Sequence, residues 1–149
     1  MTNCSRSNAV IAPKLLKQVQ SKLKDIQQLF PTTTNCIIMD KNGEIIVETS
    51  GTQTQKEKDK EKDLSMTIHQ LKTYAITFGA TLQYQDEVQH IHIRGDNHMF
   101  SFYVVRDSIL AFFTNMDFDT GKDFNFQQAD DKVKAICAEL LHLLSSTKI

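Results

Sequence analysis

The feature that constrains this fold most is VQHIHIRGDNHMFSFYVVRDSILAFFTN, residues 88–115. It fits two alternating segments and a third apolar one into 28 residues. In Val88–Ile93, Ile91 and Ile93 fall on one side and Val88, His90 and His92 on the other. In Phe100–Val105, Phe100, Phe102 and Val104 alternate with Ser101, Tyr103 and Val105. Ile109–Thr114 follows, entered through Arg106-Asp107-Ser108. A period of two is that of a β-strand. A parallel crossover needs roughly a dozen residues or more, so links this short demand antiparallel neighbours. Pairing Ile93 with Phe100 and Ile91 with Phe102 puts Asp96-Asn97 at the turn, where both residues tolerate left-handed dihedrals.

The rest of the chain must cover this meander. Val10, Ile11, Leu15, Leu16, Val19, Leu23, Ile26 and Phe30 recur three to five residues apart, the spacing of an amphipathic helix. Pro13 suits its first turn and Pro31 stops it. NCIIMDKNGEIIVETSG then sets two apolar runs, Cys36–Met39 and Ile45–Val47, around a turn in which Gly43 supplies a positive φ. A second helix is expected over residues 64–82, with Leu64, Ile68, Leu71, Ala75, Phe78 and Leu82 on one stripe and Asp63 as its N-cap. A last helix is expected over 130–145, with Val133, Ile136, Cys137, Leu140, Leu141 and Leu144 on one face and Asp130 and Asp131 at its start.

The order is therefore α-β-β-α-β-β-β-α. The predicted fold class is α+β: a five-stranded antiparallel sheet with helices, strand order 2-1-5-4-3. One domain is expected over residues 10–146, with residues 1–9 as a flexible tail. The run TQTQKEKDKEKD, residues 52–63, holds no apolar residue. Its alternating charges could extend the helix, but a charged, flexible, solvated insert is the expectation.

Composition narrows the function classes. Lys and Arg number 17 against 18 Asp and Glu, so no net field draws the chain to nucleic acid or an anionic membrane. The charged run interleaves lysines with acids and has no aromatic for base stacking. No run approaches the length of a membrane span and MTNCSRSNAV has no signal-peptide core, so a protein with no integral membrane association is expected. The cysteines are three, widely spaced and without a CxxC, which argues against a disulfide framework or a zinc site.

Motifs for chemistry are sparse. His90 and His92 share a strand face and His98 lies past the turn, yet zinc needs three or four converging ligands. A polar strand face, a dimer seam or a pH-sensitive interface fits these histidines better. Arg94-Gly95-Asp96 reads as a turn. Gly121-Lys122-Asp123 lacks a phosphate loop's preceding glycine, and Asp117, Asp119 and Asp123 lack the Gly and Glu spacing of a calcium loop. Asp40 and Glu44 flank a turn. No nucleophile, base and orienter stand out, so the chain reads as a non-enzyme that needs no cofactor.

The chain resembles the roadblock family, the dynein light chains and lysosomal GTPase-scaffold subunits, over about residues 10–146. The resemblance is carried by LLKQVQSKLKDIQQLF, the hairpin NCIIMDKNGEIIVETSG, the helix LSMTIHQLKTYAITFG, the meander, and the terminal DDKVKAICAELLHLL. Longin and profilin folds share much of this pattern. The resemblance implies a dimerising adaptor or scaffold, pairing with itself or with another roadblock-like subunit. Small GTPases or dynein intermediate chains are the implied partners. It further implies a cytoplasmic location, on endolysosomal membranes or microtubule motors through those partners. The implied seam joins residues 64–82 and 87–93 to their counterparts. Leu64, Ile68, Leu71, Tyr74 and Phe78 on the helix, and Val88, His90 and His92 on the strand, are its candidate residues. Two alternatives stay open: a regulator of GTP hydrolysis that lends no residue to the GTPase site, and a longin- or profilin-like trafficking or actin module.

Overall fold

The computed structural model describes residues 12–30, 33–49, 55–85, 87–115 and 124–145. The expected tail 1–9, the loop motifs at 117–123 and the first part of the charged insert lie outside them. The elements are α1 (Pro13–Gln27), β1 (Thr33–Asp40), β2 (Ile45–Glu48), α2 (Gln55–Thr81), β3 (His90–Arg94), β4 (His98–Val105), β5 (Ser108–Asn115) and α3 (Phe126–Ser145). The sheet is five-stranded with the order β2-β1-β5-β4-β3, as expected. All its pairings are antiparallel, and Ile93 opposes Phe100 and Ile91 opposes Phe102.

Alternation along the strands divides two cores. On one face Cys36, Ile38, Val47, Met99, Tyr103, Val105, Leu110 and Phe112 pack against α1 through Val19, Leu23 and Ile26, and against α3 through Ala129, Val133 and Leu140. On the other, Ile37, Met39, Phe102, Ile109 and Ala111 receive α2, with Ile68 fully buried and Leu64 and Leu71 beside it. Three layers result, helix pair, sheet and single helix, each hiding an apolar stripe. The β1–β2 register shifts between Ile38 and Met39, a bulge at the hairpin's end.

Local chemistry fixes the connections. Asp40 Oδ1 accepts from the backbone N–H groups of Asn42, at 2.8 Å, and Glu44, at 3.0 Å, while Gly43 takes a φ of +86°. Pro13 stands in the first turn of α1. The end of α2 is a Schellman turn: Tyr84 N–H reaches the Gly79 carbonyl at 2.8 Å and Gln83 N–H the Ala80 carbonyl at 2.9 Å. Gln83 occupies the left-handed position of that turn, with a φ of +64°.

Three sequence expectations need correcting. The charged run does not form a loop from residue 55 on, because α2 starts at Gln55, so Asp63 is inside the helix and not its N-cap. The physical reason is that residues with good helix propensity and opposite charges three and four apart sustain a helix without an apolar period. The last helix begins at Phe126, not residue 130, with the Asn125 side chain accepting from Gln128 N–H at 3.0 Å as its cap. Asp130 is therefore one turn further in and buried, not a residue of the helix start. The strand expected from Val88 is narrower and begins at His90.

Candidate functional site

Two surfaces could carry function, and both meet at β3. The first is an edge. β3 pairs with β4 and closes the sheet order, so its outer side carries no partner strand among the described residues. Unpaired backbone donors and acceptors along such an edge are a template for another strand.

α2 has a bare part of its own. At 27 residues the helix is about 40 Å long, whereas an 8-residue strand spans only about 27 Å. No α2 residue past Leu71 joins either core. Tyr74, 72% exposed, Phe78, 67%, and Leu82, 46%, recur at steps of four along the helix, with Ile76 at 50%. Thr73, Thr77 and Thr81 run alongside, each hydroxyl donating to the carbonyl four residues back at 3.0–3.1 Å. These hydroxyls are thus satisfied within the helix and present their methyl groups outward with the apolar stripe. The α2 face of the sheet is itself left bare at one end. The cross-strand row Ile93, Phe100 and Phe113 lines a groove of about 270 Å³ with Gly95 and His98.

The eight residues expected at a seam separate cleanly. Ile68 is fully buried in the chain's own core, and Leu64 and Leu71 are partly buried against it. Tyr74, Phe78 and His90 are exposed, and Val88 is half-buried. His92 points to the opposite face of the sheet, toward α3. The geometry thus leaves Tyr74, Phe78, Val88 and His90 reachable by a partner, and adds the exposed Leu82 and Ile93 to them.

His92 belongs to the second surface, a polar cluster between β3, β4 and α3. Its Nδ1 lies 2.7 Å from Ser101 Oγ, and its Nε2 lies 3.4 Å from Asp130 Oδ1 without hydrogen-bond geometry. Tyr103 donates its hydroxyl to Asp130 Oδ1 at 2.6 Å, and Lys134 Nζ lies 3.1 Å from Asp130 Oδ2. Phe126 stacks edge-on against His92, ring centroids 4.9 Å apart. Burial pushes the Asp130 carboxyl up, but the hydrogen bonds from Tyr103 and Lys134 outweigh it and hold the group below its ordinary value. Burial and the bond to Asp130 push the Tyr103 hydroxyl up. Burial holds His92 below the usual histidine range, against the pull of Asp130.

Ser101, His92 and Asp130 are the residue types of a hydrolytic triad. Ser101 is fully buried, so no substrate meets its Oγ unless the sheet opens. The cluster is a packing and orienting device. No group of three or more His, Cys, Asp and Glu side chains that could hold a metal occurs among the described residues. Burial pushes the Cys36 and Cys137 thiols up to about 12, which keeps both as inert thiols. No described helix is long and apolar enough to cross a membrane.

The sequence matches no family model and no curated protein. Solved structures do match the fold. A structure described as MglB with tetrameric arrangement superposes with a TM-score of 0.71 at 8% identity, covering 93% of this chain and 96% of that one. Myxococcus xanthus MglB gives 0.71 at 11% identity over the same shares, 93% and 96%. A Roadblock/LC7 domain from Streptomyces avermitilis gives 0.57 at 12% identity, covering 85% of this chain and 92% of that one. Likeness at such identities is a likeness of architecture. The fold of this chain is roadblock-like.

Proposed function

We propose that this chain is a non-enzymatic, dimerising adaptor of roadblock type. A single observation carries the reading: the chain pairs an edge strand that has no neighbour on its outer side with tyrosine, phenylalanine and leucine side chains at the end of α2 that no described residue covers. A soluble domain rarely leaves both a free edge strand and a contiguous aromatic stripe without a use for them. Adding a strand from a second roadblock-like chain, the same or a relative, satisfies the edge. The bare apolar groups of α2 and the Ile93–Phe100–Phe113 groove would then supply buried area.

A two-fold axis normal to the joined sheet would set each α2 over the half of the partner's face that the partner's own helix leaves open. Among the solved structures of this fold, one is described by its tetrameric arrangement. On the surface of such a dimer the chain would hold a small GTPase, or a dynein intermediate chain, and position it without lending a catalytic group. Regulation of GTP hydrolysis follows from the same surface if the bound GTPase's own machinery is ordered by it. Cytoplasmic assembly on endolysosomal membranes or motors would come through those partners.

The test is solution mass against concentration, for the natural chain and for Tyr74→Glu. Association that the substitution abolishes while the circular dichroism stays native supports the reading. A natural chain that stays a monomer throughout refutes self-association through this face.

A further inference from the structure

A histidine of β3 packs against α3, and its surroundings suit the neutral ring. Facing His92 are His90 from its own strand, Ser101 and Tyr103 from β4, and Phe126, Asp130 and Lys134 from α3. A bare Nε2 lone pair 3.4 Å from a carboxylate oxygen would be repelled by it, so Nε2 carries the proton and Nδ1 accepts from the Ser101 hydroxyl, with Oγ 2.7 Å away. A second proton must land on Nδ1, on the line already filled by that hydroxyl hydrogen. Ser101 is fully buried, so a hydroxyl that turns to accept this proton must find its own hydrogen a new acceptor away from water. The carboxylate's charge is shared, since Oδ1 already accepts from Tyr103 and Oδ2 pairs with Lys134.

We propose that His92 makes the free edge of the sheet sensitive to pH: taking up a proton unseats β3 from α3 and weakens the pairing of that edge with a second copy. The proposal rests on the edge-strand reading above and adds its regulation.

The sign follows from linkage. Burial, with His90 and Lys134 behind it, depresses the His92 value against the opposing pull of Asp130. Unseating β3 would return the imidazole to its ordinary value, about 6.5, so seating, and with it the edge that pairs, has its full support above about 6.5 and loses it as pH falls through the lower, seated value. One proton changes an equilibrium by at most about tenfold per pH unit. With one His92 in each of two copies the effects multiply.

The experiment is sedimentation equilibrium of the full chain at pH 7.5, 6.5 and 5.5. Amide hydrogen exchange of the β3 residues is read in parallel, corrected for the intrinsic pH dependence. His92→Gln is the test variant and His142→Gln, an exposed histidine of α3, the control. The expected result is a dimer Kd that rises about threefold or more between pH 7.5 and 5.5 in the natural chain and in His142→Gln, and stays level in His92→Gln. A level Kd in the natural chain, or an undiminished rise in His92→Gln, overturns the proposal. Should every form be monomeric, the dimer reading fails separately and exchange decides. Protection of β3 that falls with pH only while His92 is present supports the device; pH-independent protection overturns it.

Discussion

Tyr103→Phe probes the buried cluster with little change of shape. The substitution deletes one hydroxyl, which donates to Asp130 Oδ1 at 2.6 Å between two residues only 3% and 5% exposed. A hydrogen bond to a charged group contributes about 1.5–3 kcal/mol, and here water cannot replace the lost donor. Asp130 keeps Lys134 on its other oxygen, and His92 Nε2 stays at 3.4 Å, so the carboxylate is not orphaned. A loss of about 2 kcal/mol at pH 7 is therefore expected, at the middle of that range.

The same bond helps hold the Asp130 value down, and a depressed carboxyl stabilises the fold above its unfolded value and ceases to as pH falls through the folded one. The gap between Tyr103→Phe and the natural chain should thus be widest near pH 7. It should begin to shrink as pH drops below roughly 4, and approach about 1 kcal/mol, the worth of a neutral hydrogen bond, only once pH has passed the depressed folded value. Urea unfolding at about pH 7 and about pH 2, at one fixed protein concentration, measures both numbers. A loss under about 0.5 kcal/mol at pH 7, the scale of an unremarkable surface substitution, would refute the reasoning. So would a loss that is the same at both pH values.

Gln83→Gly should stabilise the chain by up to about 1 kcal/mol, because Gln83 holds a φ of +64° at the left-handed position ending α2; thermal unfolding at fixed concentration reads it. Ile68→Ala should cost about 2–5 kcal/mol in urea unfolding, since Ile68 is fully buried between α2 and the sheet. Tyr74→Ala, one turn and a half further along on an exposed side chain, should leave the stability of the isolated chain within about 0.5 kcal/mol.

Much of the architecture was legible because local signals agreed with each other. The alternation in residues 88–115 and its short links dictate antiparallel order, and the observed register pairs Ile93 with Phe100 as that alternation requires. Asp40 and Gly43 mark the first hairpin by side-chain capping and positive φ, both of which are local chemistry. The charged start of α2 escaped because it bears no apolar period. The division of labour along α2 escaped for another reason. Ile68 and Phe78 belong to the same apolar stripe, and only the extent of the sheet beneath decides which is core and which is exposed. His90 and His92 likewise share a strand face, yet only His92 lies under α3, where Asp130 meets it from 38 positions away. No local pattern carries such a juxtaposition, although a buried-looking aspartate in the second turn of an amphipathic helix is a weak pointer to a polar partner.

The central claim is that the β3 edge and the bare stripe of α2 are made for a second roadblock-like chain. Light scattering across a range of concentrations tests it most directly, with the natural chain and Tyr74→Glu run side by side. The account predicts a mass that climbs toward twice 17.0 kDa for the natural chain and stays at 17.0 kDa for Tyr74→Glu. A natural chain that remains at 17.0 kDa at every concentration, or a variant that dimerises as well as the natural chain, would contradict it.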